Sequence, residues 1–421
     1  MNIKEDFIYY LWENRLLAND LKTTDNEDIN IISVGHRNNN SGADYLNARI
    51  KINETLWAGQ VEIHVLASDW FRHKHQYDNN YNSVILHIVY NKDTDDVKIP
   101  TLEIKDKFDK SLFYNYKKFL HSKNWIPCIN HIGNIQNFTL ISWLDRMLIE
   151  HLENECKELN IKLSNCNYNW EQVLYQRIMR YFGLKVNNDS FEHLSKILPL
   201  NLLLRHRDNN IQIESLIFGC AGFLEEDFEE EYPSLLKREF KILKAKYGLK
   251  VMPLHYWKFL RLRPPNFPTI RIAQLSKIII ENGNIFSAIR DSNEIEEIYQ
   301  LFNIELDTYW NNHFQFNKVS KIERRKILGR TAIESVIINA IVPLLFHYGH
   351  THSSESYKEK AMCYLEQIKA EDNLITRNFQ NSGIILQNAF QTQAIMYMYK
   401  YYCKKRRCLE CRIYHILSKS L

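Results

Sequence analysis

Between residues 118 and 135 the spacing of apolar side chains along this chain changes period, and that change constrains the fold more than any other feature. Before it, apolar and polar residues alternate as they do on half-buried strands. After it, apolar residues recur about every 3.6 positions, as on one face of a helix. Ala48-Arg49-Ile50-Lys51-Ile52 alternates, Trp57 to Val65 continues in the same way, and Ser83 to Tyr90 is apolar enough for a central strand covered on both faces. Phe7 to Trp12 predicts an opening helix, Ile29 to Val34 a first strand and Ile99 to Ile104 a last one. Asn38-Asn39-Asn40-Ser41-Gly42 is turn chemistry, and Asn53-Glu54 a tight connection. Ser68 or Asp69 is expected to cap a short helix that carries His73 and His75.

The expected fold class is therefore α+β. A mixed sheet with flanking helices spans residues 1–118, a large, mostly α-helical domain spans 119–402, and a cysteine-bearing tail spans 403–421. Helices are expected at Leu140–Leu159, Trp170–Phe182, Phe191–Leu204, Lys321–Phe346 and Ile384–Tyr402, among others. A length of 421 residues suits two or three cores better than one.

A formal net charge of +4 gives no global attraction to nucleic acid, so any such contact must come from local patches. No apolar run is read as reaching the roughly 18 to 20 residues of a membrane span. Met1-Asn2-Ile3-Lys4-Glu5-Asp6 lacks the basic and apolar regions of a signal peptide. The expectation is a cytoplasmic protein with no membrane partner, whose eight cysteines are reduced or bind metal.

The chemistry-bearing residues concentrate in the first domain. Glu62 and His64, two apart on a strand, share one face, and Asp44 just before the preceding strand can approach them if the strands pair. Burying Glu62 and His64 together is expensive without partners. Converging carboxylates can hold Mg²⁺ or Mn²⁺, and a structural hydrogen-bond network would also satisfy them. Glu5 or Glu13 could add an outer carboxylate, and Gln60, His73, His75 and Asp78 are candidate supporting groups, with His87 nearby. Several imidazoles would favour Zn²⁺ or Mn²⁺. His73 and His75 point apart if both are helical, so only one of them is expected at the site.

Asp44 with the Glu62-Ile63-His64 triplet resembles the motif of PD-(D/E)XK nucleases, with His64 at the usual Lys position. That resemblance, over about the first 115 residues, implies a metal-dependent phosphodiesterase with Asp44 and Glu62 as ligands. His64 would then orient or deprotonate water, or ligate the metal itself. The rival reading is a non-catalytic nucleic-acid or protein-binding module on a degenerate nuclease fold. A third is a scaffold whose only metal sits at the terminal cysteines. The stretches Ser41-Gly42-Ala43-Asp44, Trp57 to His64, Asp69-Trp70, Tyr81 to His87, Phe218 to Gly222, Asn266 to Arg271 and Cys408-Leu409-Glu410-Cys411 also resemble the uncharacterised bacterial family called domain of unknown function 2851.

Cys403, Cys408 and Cys411 have spacing compatible with Zn²⁺ or an iron–sulfur cluster, and His415 or the distant Cys128 could supply the fourth ligand. Some nucleases that resemble PD-(D/E)XK enzymes use such a trio plus a distant cysteine for an iron–sulfur cluster. Lys404, Lys405, Arg406 and Arg407 form one basic run, and Lys321, Arg324, Arg325, Lys326 and Arg330 a second on an expected helix. Either could contact DNA or RNA phosphates or be a solvated face. Arg261, Arg263 and Arg271 are expected to pin the proline loop at 264–268, with a phosphate clamp as the alternative. His347, His350 and His352 are read as part of a surface loop.

Overall fold

The computed structural model describes residues 3–38, 41–321 and 323–420. Asn39 and Asn40 of the expected turn lie outside them, but Gly42 has the positive φ, 99°, that the turn requires. The protein is α+β and divides into two compact units. The first comprises residues 1–143, 377–384 and 396–421, and the second residues 144–376 and 385–395. The segment read as a separate tail, 403–421, thus belongs with the first unit.

In the first unit, helix α1 (Glu5–Glu13) precedes seven strands: β1 (Leu21–Lys22), β2 (Asp28–Ser33), β3 (His36–Arg37), β4 (Tyr45–Ile52), β5 (Thr55–Leu66), β6 (Val84–Asn91) and β7 (Thr101–Glu103). They form one sheet in the order β1-β2-β4-β5-β6-β7, with β3 also on β4. Pairing is antiparallel up to β5 and parallel from β5 to β6 and from β6 to β7. A parallel pair needs a crossover, and here it carries the one-turn helix α2 (Asp69–Arg72). Helix α3 (Lys110–Leu120), unforeseen in the sequence, follows β7 and is capped by Asp109, which accepts from the Ser111 N–H.

Local chemistry explains each piece that matters for the site. Phe7, Ile8, Leu11 and Trp12 repeat at helical spacing and bury one side of α1, leaving Glu5 and Tyr9 on another. Asn53, at φ 50°, makes the tight turn between β4 and β5. Val61, Ile63, Leu86 and Ile88 are fully buried and join β5 to β6. The β4–β5 register slips between Tyr45 and Ala48, where Asn47 takes φ 57°. Such a bulge re-aims the residues beside it, and it turns Asp44 towards β5.

Three helical expectations are corrected. The run Phe191–Leu204 breaks into Leu184–Ile197 and Leu200–Leu204, because Pro199 cannot continue the first helix. The helix expected from Lys321 begins only at Arg330, after Gly329. Lys326 instead folds inward and donates to the carbonyls of Trp310 and Asn311. Lys321, Arg324 and Arg325 are exposed but share no helix face, and Arg325 lies 3.2 Å from Glu305. The helix at Ile384 starts later, at Ala389.

Arg330–Thr351 is, contrary to expectation, long and apolar enough to cross a membrane, yet 72% of its apolar window is buried. Its π segment, Ile337–Ile341, lies just before Pro343. Proline lacks the N–H that would reach the carbonyl of Asn339, and the Arg177 guanidinium donates to that carbonyl instead. His347 sits on this helix fully buried, not in a surface loop, whereas His350 and His352 are exposed. Arg271 donates to Asn266 Oδ1 at 2.7 Å and Gln274 Oε1 at 3.2 Å, and so holds the proline loop.

Gly59 is the tightest point between β5 and β6. A Cβ there would stand 2.4 Å from Ile85 Cγ2 and 2.6 Å from the Ser83 carbonyl oxygen. Gly59→Ala should lower stability by about 1–3 kcal/mol through overpacking, seen as a lower urea midpoint. An unchanged midpoint would contradict this close approach.

Candidate functional site

Strand alternation places Gln60, Glu62 and His64 on one face of β5, and Glu62 and His64 are only 5% and 2% exposed. His87, fully buried, is the register partner of Glu62 on β6, and its Nε2 lies 2.9 Å from His64 Nδ1. If His64 donates through Nδ1, its Nε2 keeps a free lone pair. That Nε2 lies 3.4 Å from Glu62 Oε1 and 3.2 Å from His73 Nδ1.

Both His73 and His75 reach this point, which corrects the expectation that only one would. Helix α2 ends at Arg72, and Lys74 adopts a left-handed conformation, φ 63°, before a short 3-10 turn begins at His75. The kink undoes the helical geometry that would have sent them apart. The expected cap is also different: Ser68 makes no helix cap and instead bonds Asp93 through its N–H and hydroxyl, at 2.9 and 2.6 Å. Ligand atoms of His64, His73 and His75 all lie within 4.8 Å of one another.

His75 Nε2 is 3.2 Å from Glu62 Oε1, close enough for an ion pair, but the geometry makes no hydrogen bond and leaves that nitrogen buried without a partner. Its ring stacks on Tyr81 at 3.8 Å, and the Trp70 ring stands edge-on to it. Asp78 caps the following turn by accepting from the Asn80 N–H at 2.9 Å.

Asp44 joins the site through the backbone. Its N–H donates to Glu62 Oε2 at 3.0 Å, while its carboxylate accepts from the Ile63 N–H and the Tyr9 hydroxyl, both at 2.9 Å. Glu13, by contrast, accepts from the Tyr45 hydroxyl. Gln60 Oε1 is buried without a partner. Tyr9, Arg37 and Arg72 were missed in the sequence. Arg37 lies over the Tyr9 ring at 4.5 Å, and Arg72 is 2.8 Å from Asp69 Oδ1, although that oxygen forms no well-angled hydrogen bond. The i, i+4 spacing of Glu5 and Tyr9 was the one available signal.

Electrostatics follow from burial. Desolvation, then the Asp44 charge, pushes the Glu62 carboxyl up to about 9. Desolvation, then the neighbouring imidazoles, holds His64 down to about 2. Burial holds His75 and His87 down to about 4. Glu5 is raised by burial and by Asp44 and Asp69, and Asp44 is raised by burial.

A family model described as "Protein of unknown function (DUF2851)" matches residues 5–374. The chain belongs to that family. Every DUF2851 residue of the cluster described above falls inside the match, whereas Cys408-Leu409-Glu410-Cys411 lies beyond it. No curated protein and no solved structure matches the chain.

The titrations oppose one another. Unfolded histidines gain protons below about 6.5, but His64, His75 and His87 stay neutral when folded. The stability they confer is present above that pH and is lost as pH falls towards 4. Glu62 keeps its proton when folded, so its contribution is present below 4.5 and lost as pH rises through about 9. The metal-free protein should therefore melt at its highest temperature near about pH 6.5. Glu62→Gln should flatten the alkaline limb of that profile; an alkaline limb of unchanged slope would count against this arrangement.

Proposed function

We propose that Glu62, His64, His73 and His75 bind one divalent cation, and that the protein is a metal-dependent phosphodiesterase acting on nucleic acid. The observation that carries this reading is the close approach of His64 Nε2 and His75 Nε2 to one oxygen, Glu62 Oε1, at 3.4 and 3.2 Å. Lone pairs so arranged repel unless a proton or a cation lies among them. The depressed His64 and His75 and the raised Glu62 put that proton on Glu62 in the metal-free protein, and a bound cation would displace it. An imidazole-rich set with one carboxylate suits Mn²⁺ or Zn²⁺ better than Mg²⁺.

A bound ion would polarise a phosphodiester and lower the pKa of its water. The chain's own residues have separable tasks around it. His87 holds the His64 ring in one tautomer, as a partner on the far nitrogen does for ligating histidines. Tyr9 and the Ile63 N–H fix the Asp44 carboxylate, and the Asp44 N–H fixes Glu62. Glu5, half-buried and raised, is the candidate to take a proton from attacking water. The charges of Arg37 and Arg72 act on this site, on Asp44 and His64 respectively, and guanidinium groups suit phosphate. The mixed sheet flanked by helices, with Asp44 before one strand and Glu62-Ile63-His64 on the next, supports the resemblance to PD-(D/E)XK nucleases.

Calorimetry of chelator-treated protein with Mn²⁺ tests this. One site should titrate, and near pH 8 binding should release a proton from Glu62, so that the measured heat varies with the buffer's ionisation enthalpy. Glu62→Ala and His64→Ala should weaken binding by at least about tenfold, and the metal-loaded wild type should cleave single- or double-stranded nucleic acid. Metal binding without cleavage would favour the non-catalytic binding module. No binding by the folded wild type would sink both the metal site and the hydrolase reading.

A further inference from the structure

The four cysteines Cys128, Cys403, Cys408 and Cys411 come together in the first unit, although 274 residues lie between the first two in sequence. They line a single small apolar pocket, together with Phe119 and Tyr414 among others. The three C-terminal thiols are buried, and the charges of Cys408 and Cys411 act on both Cys128 and Cys403. Local backbone sets the spacing. Cys403 ends the π segment Tyr399–Cys403, Arg406 takes φ 56° to turn the chain, and the turn Cys408–Glu410 brings the Cys411 N–H to the Cys408 carbonyl at 3.0 Å.

Arg406, expected as a nucleic-acid contact, turns inward. It donates to the carbonyls of Ser122 and Asn124 at 3.0 and 2.9 Å, drawing the segment before Cys128 to the cluster. Its Nη1 is buried without a partner; burial, then the neighbouring cysteines, raises the Cys128, Cys403 and Cys408 thiols, and the Arg406 charge opposes that rise in part. A buried guanidinium nitrogen with no acceptor is costly, and anionic sulfur beside it would remove the cost. Lys404 stays exposed, while Arg407 pairs with Glu410.

We propose that these four cysteines ligate an iron–sulfur cluster that clasps residue 128 to the C-terminal segment. The Cys-x4-Cys-x2-Cys spacing of the C-terminal thiols, with one distant cysteine beside them in the same pocket, is that of cluster-binding proteins and selects a polynuclear cluster over a single zinc ion. The clasp also has a mechanical consequence. The helix Arg412–Ser420 begins directly after Cys411, and its Ser418 and His415 meet the Tyr10 hydroxyl on α1 at 2.8 and 3.4 Å.

The test is metal and sulfide analysis of the full chain, purified without oxygen and reconstituted with iron and sulfide. It is independent of the histidine site. Iron and acid-labile sulfide in equal amounts, with the broad visible absorption of an iron–sulfur centre, are expected from the wild type. They should be retained by Cys363→Ser, at the exposed thiol, and lost from Cys128→Ser and Cys411→Ser. The wild-type analysis stands even if a variant fails to fold. One zinc per chain without iron, or four freely titrating thiols with no metal after reconstitution, would overturn the proposal.

Discussion

The first unit depends on one constraint: β5 buries a carboxylate and an imidazole on the same face, and neither can be left alone there. Glu62 and His64 are nearly inaccessible, and a buried ionisable group must be hydrogen-bonded, neutralised or bound to a cation. Everything around them answers that demand. His87 approaches the far nitrogen of His64, the Asp44 N–H satisfies the second oxygen of Glu62, and His73 and His75 close over the front. Protonated Glu62 and neutral imidazoles are the metal-free solution; with the proposed cation bound, Glu62 would be deprotonated. The two states would differ by a proton, so cation binding at the proposed site would depend on pH.

The strands alone would not assemble this. Asp44 reaches Glu62 because β4 carries a bulge at Asn47, and it stays there because Tyr9 on α1 donates to it. Helix α1 is in turn seated by its buried face and by Tyr10, which meets the C-terminal helix. The chain's last residues therefore bear, through one helix, on the orientation of a residue near its beginning. A cluster at the four cysteines would stiffen that support without touching the proposed cation site.

Much of this was legible in the sequence, and the misses have physical causes. Alternation along Trp57 to Val65 correctly put Glu62 and His64 on one face, since the side-chain period of a strand leaves no choice. The convergence of His73 and His75 was hidden because it turns on one residue, Lys74, adopting a left-handed conformation that its type does not advertise. Asn47 was a faint signal for a bulge, as asparagine tolerates positive φ. Cys128 was named with His415 as a possible fourth partner of the trio, and the fold brings Cys128 into the trio's pocket. The basic stripe from Lys321 dissolved because Lys326 satisfies carbonyls inside the second unit, an exchange that no periodicity reveals. Pro343 broke the hydrogen-bond ladder of an otherwise legible helix, and only tertiary structure could name Arg177 as the group that caps the freed carbonyl.

The most direct test of the central claim is anomalous diffraction at the manganese edge from crystals grown with Mn²⁺. The account predicts one strong peak bonded to Glu62 Oε1 and to the Nε2 atoms of His64 and His75, with His73 completing the set. An ordered cluster with no peak among these atoms, or a peak bound elsewhere while Glu62 still faces His64 and His75, would contradict it.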